Sequence, residues 1–329
     1  MVTEDAQKIG TYIFELTNRC NESCAFCYSI SYDSNTRRGR LAKQLTGDRW
    51  LSGLENISQE GAKAVDFSGG EPTLHKDFPR IIGKAKNLGL YTIVSTNGTT
   101  TKKTAVRESL EKYADCIALS IHGVGDLHNQ IKGRPRSYED IIEAYQHYSS
   151  KGKKMKVNTV TCRENFKGLC EIGEALNIEE SQAQWKLSQA VSRESGRLNK
   201  ELVHVFNEEF VDVTKDISSR FPKAYSEGRI TFREDDSQVD RFQFVPYLIV
   251  SSDGEIHIPI GEQHTKIGAN VLDSNYYKGL SRFFESLGNF PEKVNENHDT
   301  FYNRPYESPC NNCQYEVPLS ARLIAKGII

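Results

Sequence analysis

At 329 residues the chain has room for one large domain and a smaller second one. Its formal net charge of -2 provides neither a basic field for nucleic acid nor a polybasic run for an anionic membrane. No apolar run approaches the roughly 18–20 residues that span a bilayer, and Glu4, Asp5 and Lys8 stand where a signal peptide needs apolar residues, so a cytoplasmic protein is expected.

From residue 11 to about 190, short β-rich runs alternate with amphipathic helical stretches. The predicted strands are 11–16, 63–67, 91–95, 116–121, 154–160 and 183–187. Thr46 is a candidate N-cap for a helix with Trp50, Leu51, Leu54 and Ile57 on one face. Ser137 precedes Ile141, Ile142 and Tyr145, with Asp140 as the capping-box acid, and Asn165 opens a segment bearing Leu169, Ile172 and Leu176. Six such alternations imply an α/β fold of parallel strands joined by right-handed crossovers. Spacing alone leaves open whether the sheet is flat or curled into a partial barrel.

Beyond residue 195 the rhythm changes, which suggests units at 10–195 and 196–329. Residues 200–220 read as helical, and 244–250 with 255–260 read as a hairpin whose turn is Asp253-Gly254.

Eight cysteines fall at 20, 24, 27, 116, 162, 170, 310 and 313. In a reducing compartment, clustered cysteines point to metal or catalysis more than to disulfides. Cys20-x3-Cys24-x2-Cys27 directly follows the first predicted strand. Three thiolates suit three corners of a 4Fe–4S cubane and leave the fourth iron open to S-adenosylmethionine (SAM). A zinc site is the alternative, although it calls for a fourth Cys or His. Cys116, Cys162 and Cys170 read as small buried hydrophobes.

A second motif, Phe67-Ser68-Gly69-Gly70-Glu71-Pro72, ends the second predicted strand. Its glycines permit close backbone approach, and Glu71 offers an anionic acceptor for an ammonium group. Taken alone it is a strand-to-helix turn.

Together, Cys20–Tyr28 and Gly69–Pro72 resemble the radical SAM superfamily over roughly residues 10–190. The resemblance implies a partial (β/α)6 TIM-type barrel with its cluster at the C-terminal ends of the strands, and a smaller α+β C-terminal extension. It implies that Tyr28 contacts adenine and that Gly69, Gly70 and Glu71 bind the SAM amino group. Ser95, Asn97, Ser120, Asn158 and Lys186, at strand ends, are implied cofactor contacts. His122 is either a proton shuttle or a residue that positions its loop. Lys132 and Arg134 either engage a carboxylate or lie on a solvent loop.

The hairpin and the Cys310-x2-Cys313 pair are similar to the SPASM or twitch extension of family members. Yet 256–260 carries no cysteine and none follows Cys313, so a degenerate extension without a second cluster is expected. Cys310 and Cys313 are then candidate hydrogen donors, or a structural zinc knuckle. The expected activity is reductive cleavage of SAM to a 5′-deoxyadenosyl radical and hydrogen abstraction from a peptide or small polar metabolite, ending in epimerisation or rearrangement. A reductant such as flavodoxin or ferredoxin would supply the electron. A two-cluster dehydrogenase or thioether-forming enzyme is the nearer alternative, and a zinc-binding regulatory protein the more distant one.

Overall fold

The computed structural model describes residues 10–24, 26–27, 44–190, 205, 207–233, 247–260 and 263–276. Side-chain alternation organises the first strand, β1 (Thr11–Thr17): Tyr12, Phe14 and Leu16 are buried, while Ile13 and Glu15 are half-buried. The buried set meets the first helix, α1 (Gly47–Gln59), whose Trp50, Leu54 and Ile57 share one face. The Phe14 and Trp50 rings lie 5.0 Å apart, and Phe14 meets Phe67 edge-on at 6.4 Å. This layer of apolar side chains between strands and helices is the core. The half-buried set faces the opposite side, the lumen of the barrel.

Five more strands follow: β2 (Ala64–Gly69), β3 (Tyr91–Thr96), β4 (Cys116–Ser120), β5 (Lys154–Thr161) and β6 (Gln184–Gln189); the alternation recurs in β5 and β6, whereas three consecutive residues are buried in each of β3 and β4. Between them run α2 (Phe78–Asn87), α3 (Thr104–Tyr113), α4 (Asp126–Lys132), α5 (Ser137–Ser150) and α6 (Leu169–Ala175). All six strands pair in parallel, in chain order.

The sheet goes further than the six expected strands. After α7 (Asn207–Arg220) and α8 (Pro222–Ser226), β7 (Ile230–Arg233) pairs in parallel with β6. At the other side, β8 (Tyr247–Val250) pairs in parallel with β1, and β9 (Glu255–Ile260) and β10 (Gln263–Asn270) follow in antiparallel. The order β10-β9-β8-β1-β2-β3-β4-β5-β6-β7 leaves β7 and β10 as edges, so the barrel is unclosed. The expected hairpin forms: Gly254 takes φ 86° and its N–H donates to Ser251 O at 2.8 Å. Among the described residues no helix is long and apolar enough to cross a membrane.

Of three capping expectations, the first holds in position and the other two need correction. Thr46 occupies the N-cap of α1, but its side chain makes no cap bond. The N-cap of α5 is Arg136, at φ 63°; the Ser137 hydroxyl donates to the Glu22 carboxylate and Asp140 pairs with Arg134 and Lys102. Asn165 does not open α6: its amide accepts from Cys162 N–H and donates to the carbonyls of His122 and Val160, each at 2.8 Å. In the last two cases the side chain bonds a buried partner far along the chain, Glu22 for Ser137 and the His122 carbonyl for Asn165, instead of capping the helix.

Candidate active site

Parallel pairing brings the C-terminal ends of β1 to β4 to one mouth, and the motif residues lie there. Past the end of β1, the chain is held by that of β2: Gly70 N–H donates to Thr17 O and Glu71 N–H to Arg19 O, each at 2.7 Å. Only glycine allows this approach. Gly69 sits at φ 128°, and a Cβ there would stand 2.5 Å from Thr17 O; at Gly70 it would stand 2.3 Å from Arg19 O.

Glu71, 1 % exposed, turns inward. One carboxylate oxygen accepts from Thr73 N–H at 3.2 Å, from Thr96 Oγ1 at 2.7 Å and from the Thr73 hydroxyl; the other accepts from Asn97 N–H at 2.8 Å. Burial raises its pKa, and these donors oppose the rise. The side chain thus locks the end of β3 to the glycine turn. Asn97 carries the linkage onward: its amide donates to Asn21 Oδ1 at 3.0 Å and lies 3.8 Å from Cys20 Sγ.

Cys20, Cys24 and Cys27 are half-buried on this loop, and none forms a disulfide. Burial first of all pushes the Cys20 thiol up to about 11 and the Cys24 thiol up to about 12. Such thiols ionise when a metal's positive charge replaces the proton. Among the described residues no three His, Cys, Asp or Glu side chains converge on one ion. A cubane asks for less convergence, because each thiolate takes a different iron. The donor set, three thiols on one anchored loop at the mouth, fits such a cluster.

The lumen holds the other candidates. Ser120, Asn158 and Lys186 are register partners across β4, β5 and β6, half-buried on one face. Ser95 is placed differently: its hydroxyl donates to both oxygens of Asp66, at 2.9 and 3.1 Å. Asp66 was not singled out by sequence, since one acid in an apolar strand resembles a solvated edge. Burial first of all pushes its pKa up to about 6, against the Ser95 hydrogen bonds and the nearby Lys156 ammonium; Cys116 faces it from β4. A carboxyl raised in the folded state favours folding when protonated. Its penalty is therefore complete above about pH 6 and fades as pH falls toward the unfolded value near 4. Asp66→Asn should raise Tm more at pH 7.5 than at pH 4.5; equal shifts at both would contradict this assignment.

His122 is 3 % exposed, and burial drives its pKa well below the ordinary value, so the ring is neutral. Its Nδ1 accepts from Val160 N–H at 3.1 Å, which puts the proton on Nε2. The ring meets Phe26 edge-on at 4.7 Å and stacks on His128 at 6.1 Å. These contacts fit the loop-positioning role. Lys132 and Arg134 meet carboxylates of the chain itself, Glu22 and Asp140, each at 2.8 Å. Cys162 is buried as expected, at 1 % exposure; Cys116 and Cys170 are half-buried, and the Cys170 thiol donates to Asp216 at 3.3 Å. Tyr28, Cys310 and Cys313 lie outside the described residues.

An unclosed parallel barrel whose mouth carries a three-thiol loop bound to a Gly-Gly-Glu-Pro turn defines the radical SAM class. Residues 14–175 match the family model described as "Radical SAM superfamily", and the chain carries a domain of that superfamily, whose cofactors are a 4Fe–4S cluster and SAM. Its relatives are enzymes. An S-adenosylmethionine-dependent nucleotide dehydratase of Lacinutrix mariniflava is 29% identical over 236 residues, 67% of this chain and 47% of that protein. A PqqA peptide cyclase of Bradyrhizobium diazoefficiens is 30% identical over 165 residues, 49% of this chain and 41% of that protein. The chain thus spans about half the length of these curated relatives. The structure of Streptococcus suis SuiB bound to S-adenosylmethionine superposes with a TM-score of 0.61 at 17% identity, covering 82% of this chain and 67% of that one, a likeness of fold.

Proposed function

We propose that this chain is a radical SAM enzyme that abstracts hydrogen from a peptide or a small polar metabolite. The observation that carries the reading is the pair of 2.7 Å backbone hydrogen bonds joining the cysteine loop to the Gly69–Glu71 turn at the barrel mouth. With cluster and SAM bound, the family chemistry is reductive cleavage of the sulfonium to a 5′-deoxyadenosyl radical.

The chain's own residues have separable tasks in this reading. Cys20, Cys24 and Cys27 hold three irons. The turn at Gly69 and Gly70 presents backbone carbonyls to the SAM amino group, and Glu71 fixes that turn from behind. Ser120, Asn158 and Lys186 orient the ribose and carboxylate, and Tyr28 the adenine. Asp66 and Lys156, deeper in the lumen, hold polar groups of the substrate. Residues 10–195 form the barrel unit, and 196–329 form a degenerate SPASM-like unit that restricts the substrate and brings Cys310 and Cys313 as hydrogen donors. A flavodoxin or ferredoxin delivers the electron.

A nucleotide is a second reading of the substrate. It is supported by the lumen-facing Lys156, beside Asp66, and by the nucleotide dehydratase match, which spans 67% of this chain. Anaerobic reconstitution with iron and sulfide, then incubation with SAM and dithionite, tests the core claim. Release of 5′-deoxyadenosine and methionine is expected. Stoichiometric zinc without iron, or intact SAM after reduction, would sink it. Adding precursor-like peptides or nucleotides should raise the yield with one class only.

A further inference from the structure

The cysteine loop carries a charged pair that the reading above leaves unused. Glu22 lies between the first two cysteines, and the Lys132 ammonium stands 2.8 Å from its carboxylate, with side-chain exposures of 3 % for the lysine and 1 % for the glutamate. Lys132 ends α4, and its carbonyl accepts from Ser23 N–H at 3.0 Å. Gly133 follows at φ 60°, and a Cβ there would stand 2.2 Å from Ser23 Oγ. The Ser137 hydroxyl donates to Glu22, and His128 Nε2 lies 3.4 Å from that hydroxyl. The end of α4 and the cysteine loop are therefore joined by backbone, by close contact and by charge.

An ion pair this deeply buried adds little net stability, because stripping water from both charges offsets their attraction. Its neighbours suggest what it is for. Lys132 interacts electrostatically with the thiols of Cys24 and Cys20, and Glu22 does so with opposite sign. In a low-dielectric loop, such fixed charges act strongly on any change of charge beside them.

We propose that Lys132 and Glu22 are positioning residues for the iron–sulfur cluster: their pairing fixes the cysteine loop, and their opposed charges set the potential at which the cluster accepts its electron. The inference rests on the cluster reading above. Reduction adds one electron, from an external one-electron donor, to a cluster already surrounded by thiolates. The lysine favours that more negative state and the glutamate opposes it.

The test compares reconstituted holoenzyme of the parent, Lys132→Met, Glu22→Gln and the double variant. Iron content, circular dichroism and an EPR-monitored redox titration are measured for each. At fixed potential, Lys132→Met should lower the ratio of reduced to oxidised cluster by about tenfold, a shift of ~59 mV for a one-electron couple. Glu22→Gln should raise the ratio by a similar factor, and the double variant should lie near the parent. If both single variants keep their iron and neither moves the potential, or both move it the same way, the proposal is overturned. Should Lys132→Met fail to hold iron, Glu22→Gln decides alone, because the amide keeps the shape of the acid and an acceptor for Ser137. An upward shift supports the proposal, and no shift defeats it. A parent protein without iron would instead defeat the cluster reading itself.

Discussion

Cys24→Ala is expected to reduce the reconstituted protein from about four irons per chain to less than about one, with loss of SAM cleavage. Cys24 is the middle cysteine of the loop, and Cys27 N–H donates to its carbonyl at 3.1 Å, so its thiol is placed by the backbone that carries the other two. Removing it leaves two thiolates, which cannot hold three corners of a cubane. The fold should survive, because alanine fills most of a half-buried site and the carbonyl contact is unchanged. Iron analysis, the deoxyadenosine yield and a thermal melt separate these effects. Cleavage within tenfold of the parent would refute the assignment of Cys24 as a ligand.

Glu71→Ala should be the more damaging change to the protein itself. It removes the shared acceptor of Thr73 N–H, the hydroxyls of Thr73 and Thr96, and Asn97 N–H, all at a buried position. A buried donor left without a partner costs about 1–3 kcal/mol, so losing several together should cost at least ~3 kcal/mol. Because the same carboxylate fixes the glycine turn, SAM affinity should fall by at least about tenfold, a loss of ~1.4 kcal/mol. Calorimetry with SAM and a denaturant titration read the two effects separately. Glu71→Gln tests the hydrogen-bond account: one oxygen can still accept from Thr73 and Thr96, but the amide nitrogen would face Asn97 N–H, donor against donor. A glutamine variant as stable as the parent would refute it.

Elements whose cause is local could be read from sequence. The strands from β1 to β6 announce themselves as short β-rich runs between amphipathic helical stretches, and Cys20–Cys27 with Gly69–Pro72 are compact motifs. Strand β7 escaped because four residues are too short for a period to show. Ser137 and Asn165 read as helix caps, but Ser137 meets the distant Glu22, and Asn165 ties its own loop, at Val160 and Cys162, to the distant His122 carbonyl. Distance along the chain likewise hid the Lys132–Glu22 pair and the Thr96 and Asn97 donors that, with the nearby Thr73, turn Glu71 inward.

The hairpin of β8 and β9 has a consequence for how little of this chain can be dispensed with. Its turn residue Ser252 accepts from Asn18 Nδ2 and from Leu45 N–H, each at 2.8 Å, and Val271 O, just past β10, accepts from Asn56 at 2.8 Å. A fragment trimmed to the family-matched 14–175 would retain both motifs and yet forfeit the struts that brace Asn18, at the root of the cysteine loop, and α1 from outside. Excising that minimal piece should yield a protein that assembles its cofactor poorly, because Ser252 and Val271 belong to the scaffold that holds the mouth.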